Sequence, residues 1–295
     1  MLSDEESEKI KLVGQAAQLA CVLEASTEKP GNVTPKHDFP DTKYEDFISG
    51  SIALGESVED AAYQGYLAGK GEISVHDIGI GELMLEGVGA VMDSHEGGNT
   101  HLGTLMLFIP IAAAAGMCMG RGGDMSALKK NIKTIVEESS NEDTYCFYSA
   151  IKEAGAGGLS KLREESMSFY ELMKYSASKD MIAEELANGL GVIFNLGLPS
   201  FEAYYLEEED IRKALLKTYL LILSKYPDTF ITKKSSLEKS KLVSGMAAKV
   251  MAGNMPLEAF DAELRMQGSR LNPGTTADIV SAILFIWLLY ENLSE

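Results

Sequence analysis

Four short polar segments carry the side chains that could do chemistry. The first, "KPGNVTPKHDFPDT" at 29–42, sets Lys29, Asn32, His37, Asp38 and Asp41 in one loop that opens on a Pro30-Gly31 turn. Ionisable groups of both signs in so short a span suit a binding or catalytic loop, although Asp and Asn are equally ordinary turn residues. The second, "EGGNTHLG" at 96–103, places the amide, hydroxyl and imidazole of Asn99, Thr100 and His101 at the mouth of "LGTLMLFIPIAAAAGMCMG", a run without a single charge. The third, "DTFITKK" at 228–234, pairs Lys233 with Lys234. Paired lysines can clamp phosphate, or simply face water in a loop at a helix end. The fourth, "NPGTTAD" at 272–278, reads as a turn followed by a helix start. Thr275 or Thr276 can cap it, and the helix dipole favours an acid at Asp278.

Other chemistries find no support. The histidines, His37, His76, His95 and His101, lie without zinc-site spacing, and no His-Glu-x-x-His motif exists. Cys21, Cys118 and Cys146 form no C-x-x-C pair. "GAGGLSK" at 155–161 lacks the phosphate-loop spacing, "GIGELMLEG" at 79–87 follows no strand, and no Gly-x-Ser-x-Gly is present.

The elements that must hold these loops read as helices throughout. Ser3 with Glu6 has capping-box spacing, and Ile10, Val13, Ala17, Leu19 and Leu23 follow with helical periodicity. "SVEDAAYQGYLAGK" repeats the pattern, with Ser57 as the expected cap. Further helices are expected near 80–92, 102–119, 125–138, 143–153, 168–196, 208–225, 236–252, 257–267 and 276–292. No period-2 stretch argues for a strand. The expectation is a single all-α domain over 1–295, a multi-helix bundle with its polar loops at helix ends.

The chain has 295 residues, a formal net charge of −18 and 45% hydrophobic residues. A sizeable core is therefore affordable, and non-specific nucleic-acid binding is disfavoured. The acidic N-terminus has no basic n-region, and three scattered cysteines suit a reducing compartment, so a cytoplasmic location is expected. Residues 102–120 are long enough to span a membrane, but Pro110 and the polar entrance favour a buried core helix, and 279–290 is short for a span. No membrane role is expected. A homo-oligomer stays open, because Ala- and Gly-rich helices can pack within a subunit or between two.

Taken in order, "EASTEKPGNVTPKHDF", "GGNTHLGTLMLFIPIAAA", "DTFITKK" and "NPGTTADIVSAILF" resemble the triphosphoribosyl-dephospho-CoA synthase family, in its archaeal-type branch, over residues 12 to 290. The resemblance implies an all-α fold and a transferase. The 2′-hydroxyl of 3′-dephospho-CoA attacks C1 of the ATP ribose, adenine leaves and the triphosphate is kept. That chemistry needs a carboxylate near C1, a base for the hydroxyl, a proton for adenine, and Mg²⁺ with cations for the triphosphate. The resemblance assigns the carboxylate and metal roles to Asp38, Asp41 and Asp278, with Asp180 of "SASKD" as a further metal ligand. Proton handling falls to His37 or His101. Phosphate contacts fall to Lys29, Lys233 and Lys234, and nucleotide contacts to Asn32, Asn99, Thr100, Asn272, Thr275 and Thr276. The alternatives are ribosyl transfer to another hydroxyl acceptor, a Mg²⁺-dependent hydrolase of ADP-ribosyl-type glycosidic bonds, and a nucleotide-binding helical scaffold without turnover.

Overall fold

The computed structural model describes residues 2–156 and 167–293. Most of the "GAGGLSK" run falls outside them. Among the described residues there are helices, turns and two isolated bridges, Thr34 with His37 and Phe39 with Thr42, and no strand. The all-α expectation holds.

The architecture is organised around α5 (Leu102–Gly120). Its buried residues run unbroken from Thr104 to Cys118, so no face of it meets water. A helix that is apolar all round belongs in the interior. Pro110 sits inside it and removes one backbone donor.

Contact between α3 (Gly55–Lys70) and α5 is backbone to backbone. A Cβ on Gly65 would lie 1.8 Å from the Ala113 carbonyl oxygen, and one on Gly116 the same distance from that of Ala62. On another side lies α15 (Gly274–Leu293), where the Phe108 and Phe285 rings approach with centroids 4.5 Å apart.

Around this axis lie α1 (Asp4–Ala25), α2 (Tyr44–Ala53), α4 (Ile80–Ser94), α6 (Leu128–Glu137) and α7 (Asn141–Glu153). The Ser3–Glu6 capping box forms as expected at the start of α1. Ser57, expected as a cap, instead lies inside α3 and donates to the Leu54 carbonyl, because the helix begins two residues earlier at Gly55.

The expected helix over 168–196 is broken. It becomes α8 (Phe169–Ser176), α9 (Met181–Ala187) and a π-turn at Ile193–Gly197. Asp180 starts α9 by accepting the Ile182 and Ala183 N–H groups, and Gly189 adopts a left-handed conformation past its end. The chain continues through α10 (Leu198–Glu208), α11 (Ile211–Lys225), α12 (Thr229–Lys234), α13 (Leu237–Met251) and α14 (Leu257–Arg265). Neither α2, α10 nor α12 was among the expected helices.

Among the described residues two helices, α5 and α15, are long and apolar enough to cross a membrane. Residues 279–290 thus belong to a helix of 20 residues, longer than the sequence run suggests. The most apolar stretches of the two are 83% and 67% buried inside the fold.

Candidate functional site

Four helix N-termini meet at one place. Gly103, in the first turn of α5, presses on the other helices: a Cβ there would lie 2.2 Å from Asp278 Oδ2 and 2.8 Å from Ile182 Cδ1. Thr104 Oγ1 donates to Asp278 Oδ1 at 2.6 Å, joining α5 to α15. Thr229 Oγ1 accepts the Met181 N–H at 3.3 Å and meets Thr275 Oγ1 at 3.1 Å, so α9, α12 and α15 join as well. These helix ends bring partial positive charge together, while side-chain caps already take the N–H groups of Leu102, Met181, Ile182, Ala183, Phe230, Ile231 and Thr276.

Asp228 holds this junction together. It is fully buried. One carboxylate oxygen accepts the N–H groups of Phe230 and Ile231, and the other accepts the N–H and Oγ1–H of Thr276, all at 2.8–3.1 Å. A single side chain therefore caps both α12 and α15. Thr276 donates to this cap, and Thr275 Oγ1 accepts the Phe230 N–H. Burial raises the Asp228 carboxyl above its usual range, and these donors pull it back.

Asp278 keeps part of its surface at solvent. Even so, burial pushes its carboxyl up to about 8, with the negative charges of Glu24, Asp228 and Asp180 adding to the effect and Thr104 opposing it. Without a cation nearby, this carboxyl is largely protonated at neutral pH. Asp180 uses Oδ1 to cap α9, while its Oδ2 pairs with the exposed Lys233. Lys234 lies over the Phe230 ring, 4.4 Å from its centroid.

Behind Asp278 lies the first loop. Lys29 points inward with a side chain only 1% exposed. Its ammonium donates to the Glu24 and Thr27 carbonyls and lies 3.1 Å from Glu24 Oε1. This lysine satisfies orphan carbonyls where α1 ends and neutralises a buried acid. Two backbone carbonyls and one acid thereby hold the ammonium inside the protein. Asn32 Nδ2 donates to Asn272 Oδ1 at 2.6 Å, tying the first loop to the turn before α15.

The second segment is built as a lock. Asn99 Oδ1 accepts the Leu102 N–H at the start of α5. The Gly97 N–H donates to His95 Nδ1, so neutral His95 carries its proton on Nε2 and donates it to Thr100 Oγ1 at 3.1 Å. Thr100 then donates to His101 Nδ1 at 2.7 Å, and His101 Nε2 donates to Ser51 Oγ at 3.3 Å. Ser51 in turn donates to the Phe47 carbonyl. His101 is buried, and desolvation lowers it to about 3, so it stays neutral. Both its ring nitrogens are engaged by protein.

His37, Asp38 and Asp41 are exposed. Asp38 Oδ1 accepts the Tyr44 N–H near the start of α2. Their loop rests on the second segment, where Thr42 Oγ1 donates to the Gly97 carbonyl at 3.3 Å. Among the described residues no group of three or more His, Cys, Asp or Glu side chains is placed to hold a metal ion. The four carboxylates expected as ligands are thus not gathered into one cluster.

The family model for ATP:dephospho-CoA triphosphoribosyl transferase matches residues 10–295, almost the whole chain. The chain belongs to this family. An Escherichia fergusonii protein named 2-(5''-triphosphoribosyl)-3'-dephosphocoenzyme-A synthase is 24% identical over 69% of this chain and 63% of its own length. A Vibrio cholerae protein named a probable synthase of the same kind is 24% identical over 95% of this chain and 88% of its own. The curated relatives that head the comparison are matched over 63% of their length or less. A crystal structure from Archaeoglobus fulgidus, of a protein whose name also carries triphosphoribosyl-dephospho-CoA synthase, superposes with a TM-score of 0.58 at 21% identity. It covers 81% of this chain and 99% of the Archaeoglobus chain, and supports the fold.

In this triphosphoribosyl transferase family member, sequence reasoning missed several residues around the junction. Asp228 opens "DTFITKK", and an Asp before "TFI" is a readable N-cap signal. Thr104 is indistinguishable from other residues of an apolar run. Tyr219, Asp261 and Arg265 gain their place through contacts across the fold, and Glu24 through the ammonium of Lys29.

Proposed function

We propose that the protein transfers the 5-triphosphoribosyl group of ATP to the 2′-hydroxyl of 3′-dephospho-CoA and releases adenine. The observation that carries this reading is Asp278, a carboxyl raised to about 8 and set where the N-termini of α5, α9, α12 and α15 meet. The partial positive charge gathered at these helix ends suits a phosphate. A carboxylic acid kept protonated near neutral pH fits a leaving base that needs a proton.

In this reading the N-glycosidic bond between C1 of the ATP ribose and adenine breaks as the acceptor oxygen bonds to C1. Asp278 delivers a proton to the departing adenine. Its resulting carboxylate then faces the positive charge that develops at C1. Thr104 holds the carboxyl in place throughout. The hydroxyl's proton goes to a base, for which the exposed His37 and Asp38 are the candidates on the loop beside the second segment.

Magnesium fits one part of this site. Mg²⁺ commonly takes one or two carboxylates and completes its shell with substrate phosphates and water. Asp180 offers such a carboxylate, since its Oδ2 is held only by the exposed Lys233, which can turn to phosphate instead. Once bound there, Mg²⁺ would supply charge neutralisation for the triphosphate.

The test is incubation with ATP, Mg²⁺ and 3′-dephospho-CoA, following adenine by chromatography and the adduct by mass spectrometry. Adenine with an adduct that keeps three phosphates supports the reading. Adenine without an adduct points to water or another acceptor. No adenine release removes the enzyme reading.

A further inference from the structure

Thr229 and Thr275 face each other across the junction, their hydroxyl oxygens 3.1 Å apart. Each oxygen also accepts a backbone N–H, that of Met181 on Thr229 and that of Phe230 on Thr275. A hydroxyl brings one hydrogen. One of the pair's two hydrogens fills the bond between the oxygens, and the N–H groups, being donors, take neither. Among the described residues the second hydrogen has no acceptor within the protein. Thr275 is only 6% exposed, whereas Thr229 is half-buried. Buried donors are nearly always paired, so Thr275 donates to Thr229, and the free hydrogen is the one on Thr229, toward solvent.

The residues on either side of that hydrogen come in a fixed order. Thr229 and Lys233 stand four apart on α12, and Thr275 and Asp278 three apart on α15, so each pair shares a helix face. Lys233 reaches over to Asp180, the residue before Met181. The side chains of that ion pair are 56% and 21% exposed, so this end of the junction is open to a ligand. Lys233, Thr229, Thr275 and Asp278 therefore form a row, with a cation at one end, an acid at the other and a free hydroxyl donor between them.

We propose that the Thr229 hydroxyl holds the phosphate nearest the ribose and so sets the direction in which the nucleotide lies, with the triphosphate tail toward Lys233 and C1 toward Asp278. This inference rests on the ATP reading above and assigns a substrate contact and an orientation to the same site. The nucleotide has the order of the row: tail, the phosphate joined to the ribose, then C1. Phosphate oxygens only accept, and a hydrogen bond to an ionised group is roughly twice as strong as one between neutral groups. The exposed ammonium of Lys233 can leave Asp180 for the tail, while Thr229 keeps its oxygen fixed by the Met181 N–H and directs its hydrogen outward.

The experiment is titration calorimetry of the full chain with ATP and with AMP, for the native protein, Thr229→Val, Thr229→Ala, Thr229→Ser and Lys233→Met. A melting curve of each variant is recorded alongside, and the two variants without a hydroxyl are carried together so that misfolding of one leaves the other to be read. Thr229→Val and Thr229→Ala should weaken ATP and AMP alike, by about tenfold. Thr229→Ser, which keeps the hydroxyl, should bind both as the native protein does. Lys233→Met should weaken ATP and leave AMP within about twofold. The inference is overturned if the native protein binds ATP but not AMP, or if AMP binding survives loss of the hydroxyl. It is also overturned if Thr229→Ser loses AMP as the valine variant does, or if Lys233→Met weakens AMP as much as ATP. Any of these results from a protein that still releases adenine overturns this inference alone. No ATP binding and no adenine release would overturn the proposed function with it.

Discussion

Thr104 Oγ1 donates a 2.6 Å hydrogen bond to Asp278 Oδ1 across 174 residues of sequence, fixing an acid of α15 to the first turn of α5. The bond stabilises the anion, yet the carboxyl still lies at about 8, so burial and the neighbouring acids outweigh it. Asp278→Asn should keep the fold and abolish adenine release from ATP, measured by chromatography. In the native protein, kcat/KM should fall as pH rises through about 8, where the acid loses its proton.

The same shift has a stability consequence. A carboxyl raised in the folded state binds its proton more tightly there than in the unfolded chain. Its contribution is fully present below the unfolded value near 3.9 and is lost as pH rises toward about 8. Thermal melts between pH 5 and pH 9 should show the native protein losing stability on the alkaline side, with a flatter profile for Asp278→Asn.

His101 works in the opposite direction. Burial lowers its folded value to about 3, while the unfolded imidazole titrates near 6.5. The unfolded chain therefore gains the proton first, and stability falls as pH drops from 6.5 toward 3. His101→Gln should weaken that acid-side loss in the same melts. It should also weaken the hold between α2 and α5 at pH 8, because Thr100 and Ser51 both lose the imidazole.

Lys29 gives a prediction that separates structure from binding. Lys29→Met leaves the Glu24 acid and the Glu24 and Thr27 carbonyls buried without their cation. Denaturant unfolding should show a loss of about 3 kcal/mol. Lys233→Met should leave stability within about 0.5 kcal/mol and weaken tripolyphosphate binding instead, since its ion pair is largely exposed.

Gly103→Ala tests the closeness of the junction. Its Cβ would fall 2.2 Å from Asp278 Oδ2, so the carboxyl or the helix must move. Adenine release should drop about tenfold or more with little change in secondary structure by circular dichroism.

The helical nature of the fold, its apolar axis and the polar loops at helix ends were all legible in the sequence. Caps marked the starts, and the uncharged run at 102–120 could only be an interior helix or a span. The break at 176–181 was missed because apolar periodicity carries on through it, although Asp180 is a cap and Gly189 a stop. Burial within the site was harder still. Lys29 and Lys233 look alike in sequence, but one turns inward to carbonyls five and two residues before it, and the other pairs with Asp180 at the surface. Asp228 bridges 48 residues to Thr276, and Arg265 reaches 233 residues back to Asn32. Spacing along a chain carries no trace of such pairings.

The glycine contacts between α3 and α5 have a mechanical consequence. With Gly65 against Ala113 and Gly116 against Ala62, the two backbones leave no side chain between them to re-pack. The pair forms a stiff beam, and Gly103 and Thr104 stand at its end. Whatever enters the junction meets one wall that cannot give, so adaptation to a ligand must come from the shorter helices α9 and α12 and from the loop around His37.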